Sequence, residues 1–212
     1  SNSFCTLLAM ARFCRGAAVA DTPEGAIRCG GTGIHGSAFV DLRSHGSVTW
    51  SALDWNPDAD AAVNRRWHTA TYASSRDEVL IYGGEGLSGN CFGDLWSMQM
   101  RGNTATIRKL TCRGSEGTRK QHSAAWCENL KALVVAGGVA DSGKLLASVI
   151  YFDCAAGLWR TLLPALPRGL RGHQLLATGQ ALYIVGGDRG TQHQSTALFA
   201  LDVGPDCPPG VK

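Results

Sequence analysis

Four Gly-Gly pairs recur along the chain at nearly equal intervals, and each pair ends a short apolar run. The pairs begin at Gly30, Gly83, Gly137 and Gly186, so their spacings are 53, 54 and 49 residues. The runs before them are rich in Val, Ile, Leu and Tyr, which favour strands, and Gly-Gly ends a strand because glycine adopts positive φ without a Cβ clash. Similarity at a period of about 50 residues indicates a repeat architecture.

Histidine and arginine positions keep the same phase as the glycine pairs. His68 and His122 stand fifteen residues before the first Gly of their pairs, and His173 stands thirteen before its own. The fifteen-residue spacing assigns the same slot of the first unit to Arg15. In the first three units an arginine stands three positions before this slot: Arg12, Arg65 and Arg119. Because the histidines hold equivalent slots, we expect them to be structural.

The first three units each contain four strand-like runs, and the last contains three. A polar loop and a third apolar run follow each glycine pair, and a fourth run carries an aromatic residue in two units, Trp50 and Trp159. Four strands per unit at this period predict an all-β fold, a β-propeller with about four four-stranded blades. The units span approximately residues 12–53, 64–110, 118–163 and 168–202. We expect the core to include Tyr82, Val134, Trp159 and Ile184.

These features resemble the kelch repeat over nearly the whole chain. The second and third units carry the pattern best, which consists of Arg-x-x-His, Gly-Gly and a late aromatic residue. In the second unit these are Arg65, His68, Gly83-Gly84 and Trp96, and in the third they are Arg119, His122, Gly137-Gly138 and Trp159. The resemblance implies a kelch-type propeller. Kelch propellers usually have five to seven blades. The four units therefore imply a four-bladed ring, a part of a longer protein or a chain that pairs with another chain, and we favour part of a longer protein.

The first residues of the chain suggest how the ring closes. The run at 4–9, FCTLLA, reads like the outermost strand after Trp159, and the last unit has no fourth strand of its own. We predict that strand 4–9 completes the last blade, because pairing the two ends removes an exposed sheet edge.

The loops after the glycine pairs and the basic residues before the first strands are predicted to share one face, and functional residues often lie on such loops. Arginine pairs carboxylates in a bidentate manner, so this face predicts a protein partner that is acidic. The alternative is that these groups satisfy internal partners. The loop 85–93 has no close counterpart in the other units and is the expected source of specificity. The predicted binding residues are Arg65, Arg66, Glu85, Asn90, Arg119, Arg168, Arg171, Asp188, Arg189 and His193.

No catalytic residue, metal site or cofactor is predicted. The sequence lacks the Walker A, G-x-S-x-G and C-x-x-C patterns, and equivalent slots spaced around a ring do not bring three or four ligands to one metal. The net charge is only +3, and the arginines of the repeat are about 50 residues apart. That pattern does not resemble a nucleic-acid stacking platform, so nucleic-acid binding is not expected.

Composition indicates the compartment. No run of 18 apolar residues occurs, so no membrane span is expected. The eight cysteines are scattered through apolar runs, which favours free thiols in a reducing compartment over the disulfides of a secreted protein. We therefore predict an intracellular, cytoplasmic protein. A mitochondrial location is the alternative, because Arg12 and Arg15 occur with no acid before Asp21.

The leading hypothesis is a non-catalytic kelch scaffold that binds a protein partner through the loop face. The resemblance leaves two alternatives open. One is the accessory propeller of a longer enzyme, such as a carboxymethyltransferase-like enzyme of tRNA modification. The other is a structural subunit of a large assembly.

Overall fold

The structure, a computed structural model, describes residues 16–31, 39–114, 117–190 and 198–203. Within these ranges the chain forms four sheets of consecutive strands. The first sheet contains β1 (Ala18–Thr22), β2 (Gly25–Cys29), β3 (Val40–Ser44) and β4 (Ser51–Ala52). The third contains β10 (Ser123–Cys127), β11 (Ala132–Ala136), β12 (Val149–Asp153) and β13 (Leu158–Leu162), and the fourth contains β14 (Gln174–Ala177), β15 (Ala181–Val185) and β16 (Leu198–Asp202).

The second sheet differs from the others by one additional short strand. Its four antiparallel strands are β6 (Thr69–Ala73), β7 (Glu78–Tyr82), β8 (Leu95–Arg101) and β9 (Thr104–Lys109). The preceding segment forms β5 (Asp54–Trp55), a 3-10 helix (Pro57–Ala59) and α1 (Asp60–Val63), and β5 pairs in parallel with β9. The second and third sheets share one register offset by 54 residues, because Thr69 pairs with Tyr82 as Ser123 pairs with Ala136.

The four sheets are the blades of a propeller, which confirms the predicted fold class. The first strands β1, β6, β10 and β14 pack side by side in that order around a central channel. The backbone N–H of Trp67 donates to the carbonyl of Gly16 at 2.8 Å, that of Gln121 to Trp67 at 3.0 Å, and that of Gly172 to Gln121 at 2.9 Å. Each bond joins a blade to the one before it. All four residues have positive φ. The predicted closing strand at 4–9 lies outside the described residues and stays a prediction.

Three apolar clusters fill the spaces between successive blades. Tyr82, Val134, Trp159 and Ile184 are all buried, as predicted. Between blades 2 and 3 the ring of Trp159 packs against those of Tyr82 and Phe152, with centroids 4.7 and 5.2 Å apart. Because β7 and β11 are buried along their whole length, blades 2 and 3 are covered on both faces, and each blade depends on its neighbours for stability.

The glycine pairs are the points where adjacent blades interlock. A Cβ atom on Gly83 would lie 2.8 Å from Cε1 of His122 in the next blade, and one on Gly84 would lie 2.7 Å from Cβ of His68 in the same blade. Glycine is therefore required by close approach as well as by φ. The same contacts recur at Gly30 with His68, Gly137 with His173, Gly138 with His122 and Gly187 with His173.

The first blade carries Ala17 in the histidine slot, so the assignment of this slot to Arg15 was wrong. A Cβ on Gly31 would lie 2.9 Å from Cβ of Ala17, in the way that Gly84 approaches His68. Two residues (23–24) join β1 to β2, whereas four (74–77) join β6 to β7. The shorter turn reduces the spacing between the slot residue and the first Gly of the pair from fifteen residues to thirteen, which is also the spacing from His173 to Gly186.

The three slot histidines are neutral in the folded protein. Burial lowers the pKa of His68 to about 3, with a further contribution from the charge of Arg65, and burial lowers the pKa of His173 to about 4. The Nε2 atom of His173 lies 3.0 Å from the carbonyl oxygen of Ala136 in the preceding blade. A carbonyl only accepts, so Nε2 carries the proton of the neutral ring and donates across the blade boundary.

Stability is expected to fall on acidification because these histidines titrate only in the unfolded chain. Below about pH 6.5 the unfolded state gains protons that the folded state excludes, so stability decreases as the pH approaches the folded pKa. For His173, a shift from 6.5 to about 4 corresponds to about 2 kcal/mol lost between about pH 7.5 and pH 5. A His173→Gln variant, measured by urea unfolding at both pH values, should lose about 2 kcal/mol less than the parent over this interval. An unchanged pH dependence would contradict this role.

Candidate protein-binding face

The loop face is defined by the segments that precede the first strands and by the loops that follow the glycine pairs, and the structure brings the two sets together. Backbone N–H and carbonyl groups of Arg66 and Glu85 bond reciprocally at 2.9 and 2.9 Å. The same reciprocal bridge joins Lys120 to Val139, at 3.0 and 2.8 Å, and Arg171 to Asp188, at 3.1 and 2.8 Å. Each of these three blades therefore presents one side chain from each set at the same place.

Ion pairs connect these positions within and between blades. Arg66 Nε donates to Glu85 Oε1 at 2.7 Å, and Lys120 of blade 3 donates to the other oxygen of the same carboxylate. In blade 4, Arg171 contacts Asp188 at 2.7 Å. Burial by itself would raise the pKa of Glu85, but the hydrogen bonds from Lys120 and Arg66 outweigh it and lower the pKa. The hydrogen bond from Arg171 lowers the pKa of Asp188. Both carboxylates are therefore ionised at neutral pH.

Two predicted binding residues, Arg65 and Arg119, are buried inside the blades. Arg65 is 3% exposed and donates to the carbonyl of Gly83 at 2.9 Å and to the carboxylate of Asp94 at 2.8 Å. Arg119 is 1% exposed and donates to the carbonyl of Gly137 at 3.0 Å. These guanidinium groups fix the start of one blade to its own glycine turn, so the internal alternative applies to them, and we leave both out of the proposed binding surface.

The loop 85–93 has a structural counterpart in 139–147, which corrects the expectation that it stands alone. In the first loop, the N–H of Gly86 donates to the carbonyl of Asn90 and that of Gly89 to the carbonyl of Gly86, both at 3.0 Å. Ala140 and Gly143 make the equivalent bonds in the second loop, both at 2.9 Å. The two loops thus share a backbone and differ in side chains.

The two loops also contact each other. The N–H of Cys91 donates to the carboxylate of Asp141 at 3.0 Å, which ties the loop of blade 2 to that of blade 3. The side chain of Leu87 at the tip is 69% exposed, and Asn90 is exposed beside it. These side chains lie close to Glu85 and are available to a partner.

The remaining predicted residues divide by accessibility. Arg168 is exposed and makes no ion pair with any described residue, Arg171 is half-buried in its pair with Asp188, and Arg189 is half-buried. His193 lies outside the described residues. Sequence reasoning missed Lys120, although it stands two positions before the histidine slot as Arg66 and Arg171 do.

The described part of the chain contains a central channel but no cluster of metal ligands. No group of three or more His, Cys, Asp or Glu side chains there could hold a metal ion. The central channel forms a cavity of about 630 Å³ walled by the first strands of the four blades. No described helix is long and apolar enough to cross a membrane.

Blades that interlock through a glycine pair and a slot histidine define a kelch-type β-propeller. The family model for the KLHDC2/KLHL20/DRC7 Kelch-repeats domain matches residues 18–204. Because this range is most of the chain, the chain belongs to that family of kelch-repeat domains.

Known proteins similar to the chain agree with this family. Kelch-like protein 34 of Homo sapiens is 28% identical over 155 residues, which cover 65% of this chain and 24% of the human protein. The chain thus spans about a quarter of the length of this curated relative. A solved structure of YjhT superposes with a TM-score of 0.69 at 15% identity, covering 89% of this chain and 63% of that one. At this identity the likeness shows the fold alone.

Proposed function

We propose that this chain is a non-catalytic kelch-repeat scaffold that binds an acidic protein partner through its loop face. The observation that carries the proposal is the excess of cations on that face. Arg168 is exposed and Arg66, Lys120 and Arg171 are half-buried, whereas the acids described among them are Glu85, Asp141 and Asp188. Kelch membership supports a protein-binding role, and the rigid blades hold the loops in fixed positions.

Charge and accessibility support an acidic partner over a neutral one. Arg168 offers a guanidinium group without an ion-pair partner among the described residues, and the side chain of Arg171 is 41% exposed beside Asp188. Guanidinium groups at the rim of an interface steer carboxylate-bearing partners and contribute mainly to specificity and association rate. The exposed Leu87 supplies an apolar contact on the same face.

Charge reversal on the loop face is expected to remove partner binding. Arg168→Glu/Arg171→Glu should reduce the recovery of cross-linked partners by at least about tenfold, because two attractive contacts become repulsive. The measurement is affinity purification from cells followed by quantitative mass spectrometry.

The matched control is Arg101→Glu, which reverses an exposed arginine at the β8–β9 turn, on the opposite face. This variant should keep the partners, and both variants should match the parent in thermal unfolding. If the loop-face variant recovered the same partners as the control, another surface would bind them. Arg65→Glu or Arg119→Glu are unsuitable tests, because each would bury a new acid in place of a buried cation.

The described cysteines support the intracellular location that we propose. Cys29, Cys91 and Cys127 are buried free thiols, and Cys112 and Cys154 are half-buried and free. Burial raises the pKa of Cys29 to about 12, so this thiol is inert at neutral pH. Such residues behave as small apolar side chains.

A further inference from the structure

The acid that follows the glycine pair is missing from blade 3. Glu85 in blade 2 and Asp188 in blade 4 each stand directly after their pairs, and each accepts an ion pair from a cation of its own blade. Val139 holds the equivalent position in blade 3 and is 6% exposed. Its backbone makes the same reciprocal bridge to Lys120 that Glu85 makes to Arg66. Only the side chain differs.

The repeat assigns two cationic positions to the neighbourhood of Val139, as it does to that of Glu85. Glu85 lies between Arg66 of its own blade and Lys120 of the next. For residue 139 the cation of its own blade is Lys120, and the corresponding cation of the next blade is Arg171. By this equivalence the cationic positions 120 and 171 lie on either side of the apolar residue Val139.

Backbone contacts establish that blade 4 approaches blade 3 as blade 3 approaches blade 2. Between blades 2 and 3, the bonds Gly84 N to Arg119 O, Arg119 N to Phe92 O and Gln121 N to Trp67 O measure 2.8, 3.0 and 3.0 Å. Between blades 3 and 4, the equivalent bonds Gly138 N to Leu170 O, Leu170 N to Leu146 O and Gly172 N to Gln121 O measure 2.7, 3.2 and 2.9 Å. The backbone of Arg171 therefore has the same position relative to Val139 as the backbone of Lys120 has relative to Glu85.

We propose that Lys120 and Arg171 form an anchor for one carboxylate side chain of the partner, at the position where blade 3 has Val139 and blades 2 and 4 have an acid. The inference rests on the proposed function and adds to it a specific contact. The three cations of this row, Arg66, Lys120 and Arg171, pair with only two acids that follow a glycine pair, Glu85 and Asp188. A glutamate or aspartate of the partner supplies the carboxylate that Glu85 and Asp188 supply within the neighbouring blades.

The probe for this anchor is a fluorescein-labelled hexaglutamate peptide, with hexaglutamine as the uncharged comparison. The parent should bind hexaglutamate in fluorescence anisotropy, with weaker binding as salt rises, and should not bind hexaglutamine. Val139→Glu places an internal carboxylate between Lys120 and Arg171, and should weaken hexaglutamate binding by at least about tenfold. Val139→Gln has nearly the same shape without the charge and should weaken binding less than about twofold.

A second variant tests the anchor without changing position 139. Glu85→Gln releases Lys120 from its internal acid and should strengthen hexaglutamate binding by at least about threefold. Arg101→Gln removes an exposed cation at the β8–β9 turn, on the face opposite the loops, and should leave binding within about twofold.

The outcomes separate this inference from the proposed function. Failure of the parent to bind hexaglutamate, or equal binding by Val139→Glu and Val139→Gln, would overturn the anchor. The scaffold role would still stand if Arg168→Glu/Arg171→Glu lost its cellular partners. Unchanged binding by Glu85→Gln would likewise overturn the anchor, even if Val139→Glu did not fold.

Discussion

Gly137→Val is expected to lose about 4 kcal/mol or more of unfolding free energy, because positive φ and crowding act together at this position. The φ of Gly137 is 58°, and a Cβ atom there would lie 2.7 Å from both the carbonyl oxygen of Leu170 and Cε1 of His173. The same carbonyl of Leu170 accepts the N–H of Gly138 at 2.7 Å. A shift that relieved the clash would therefore break this hydrogen bond between blades 3 and 4. Urea unfolding followed by tryptophan fluorescence measures the loss.

The matched control for crowding is Gly143→Val. Gly143 has a φ of 81°, but a Cβ atom there would have nothing within 4 Å, so its substitution costs only the strain of a left-handed residue, about 1–2 kcal/mol. The difference between the two variants isolates the contact between blades. Equal losses for Gly137→Val and Gly143→Val would mean that blade 4 does not approach blade 3 as the structure shows.

The fold could be predicted from the sequence because each glycine pair and each strand is specified by its own local residues, and both recur with the same period. The spacing of the pairs, the apolar runs and the buried aromatic Trp159 were sufficient to identify the blades. The histidine slot of the first blade was not, because a turn two residues shorter moves the slot from Arg15 to Ala17. The repeat period gives only the summed length of strands and turns, so it does not show which turn of a unit is shortened.

The site was only partly predictable, because neighbouring arginines have opposite environments. Arg65 points into blade 2, whereas Arg66 is 38% exposed and pairs with Glu85. The spacing to the histidine slot separates the two, but the sequence alone does not show which position is buried, since the direction of each side chain depends on the bridge of Arg66 to Glu85 and on the positive φ of Trp67. Lys120 was overlooked for the same reason, because only the structure shows that the residue two positions before each slot histidine bridges the residue after the glycine pair.

Arg65→Ala is expected to destabilise the fold by about 3–5 kcal/mol, because it removes the donor of two carbonyls and leaves the partly buried carboxylate of Asp94 with only the Trp96 N–H and the more distant Lys109. Arg65 donates to the carbonyl of Ala61 at 3.0 Å, to that of Gly83 and to both oxygens of Asp94, and its guanidinium group lies 4.5 Å from the ring centre of Phe92. The alkyl chain of arginine also packs in the interior, so the substitution removes volume as well as charge. Urea unfolding at neutral pH measures the loss.

A double-mutant cycle with Asp94→Ser tests whether the ion pair is the main part of that loss. Blade 3 has Ser148 where blade 2 has Asp94, and Arg119 donates to its hydroxyl at 3.3 Å, so serine is compatible with the blade at this position. With Arg65 removed, Asp94→Ser should restore at least about 2 kcal/mol, because no partly buried carboxylate is then left with only the distant Lys109 as its cation. In Arg65→Ala alone, the pKa of Asp94 should rise, since burial raises it and the arginine hydrogen bond that opposes this effect in the parent is lost. Additive losses across the cycle would show that Arg65 stabilises blade 2 through packing and carbonyl contacts, independently of Asp94.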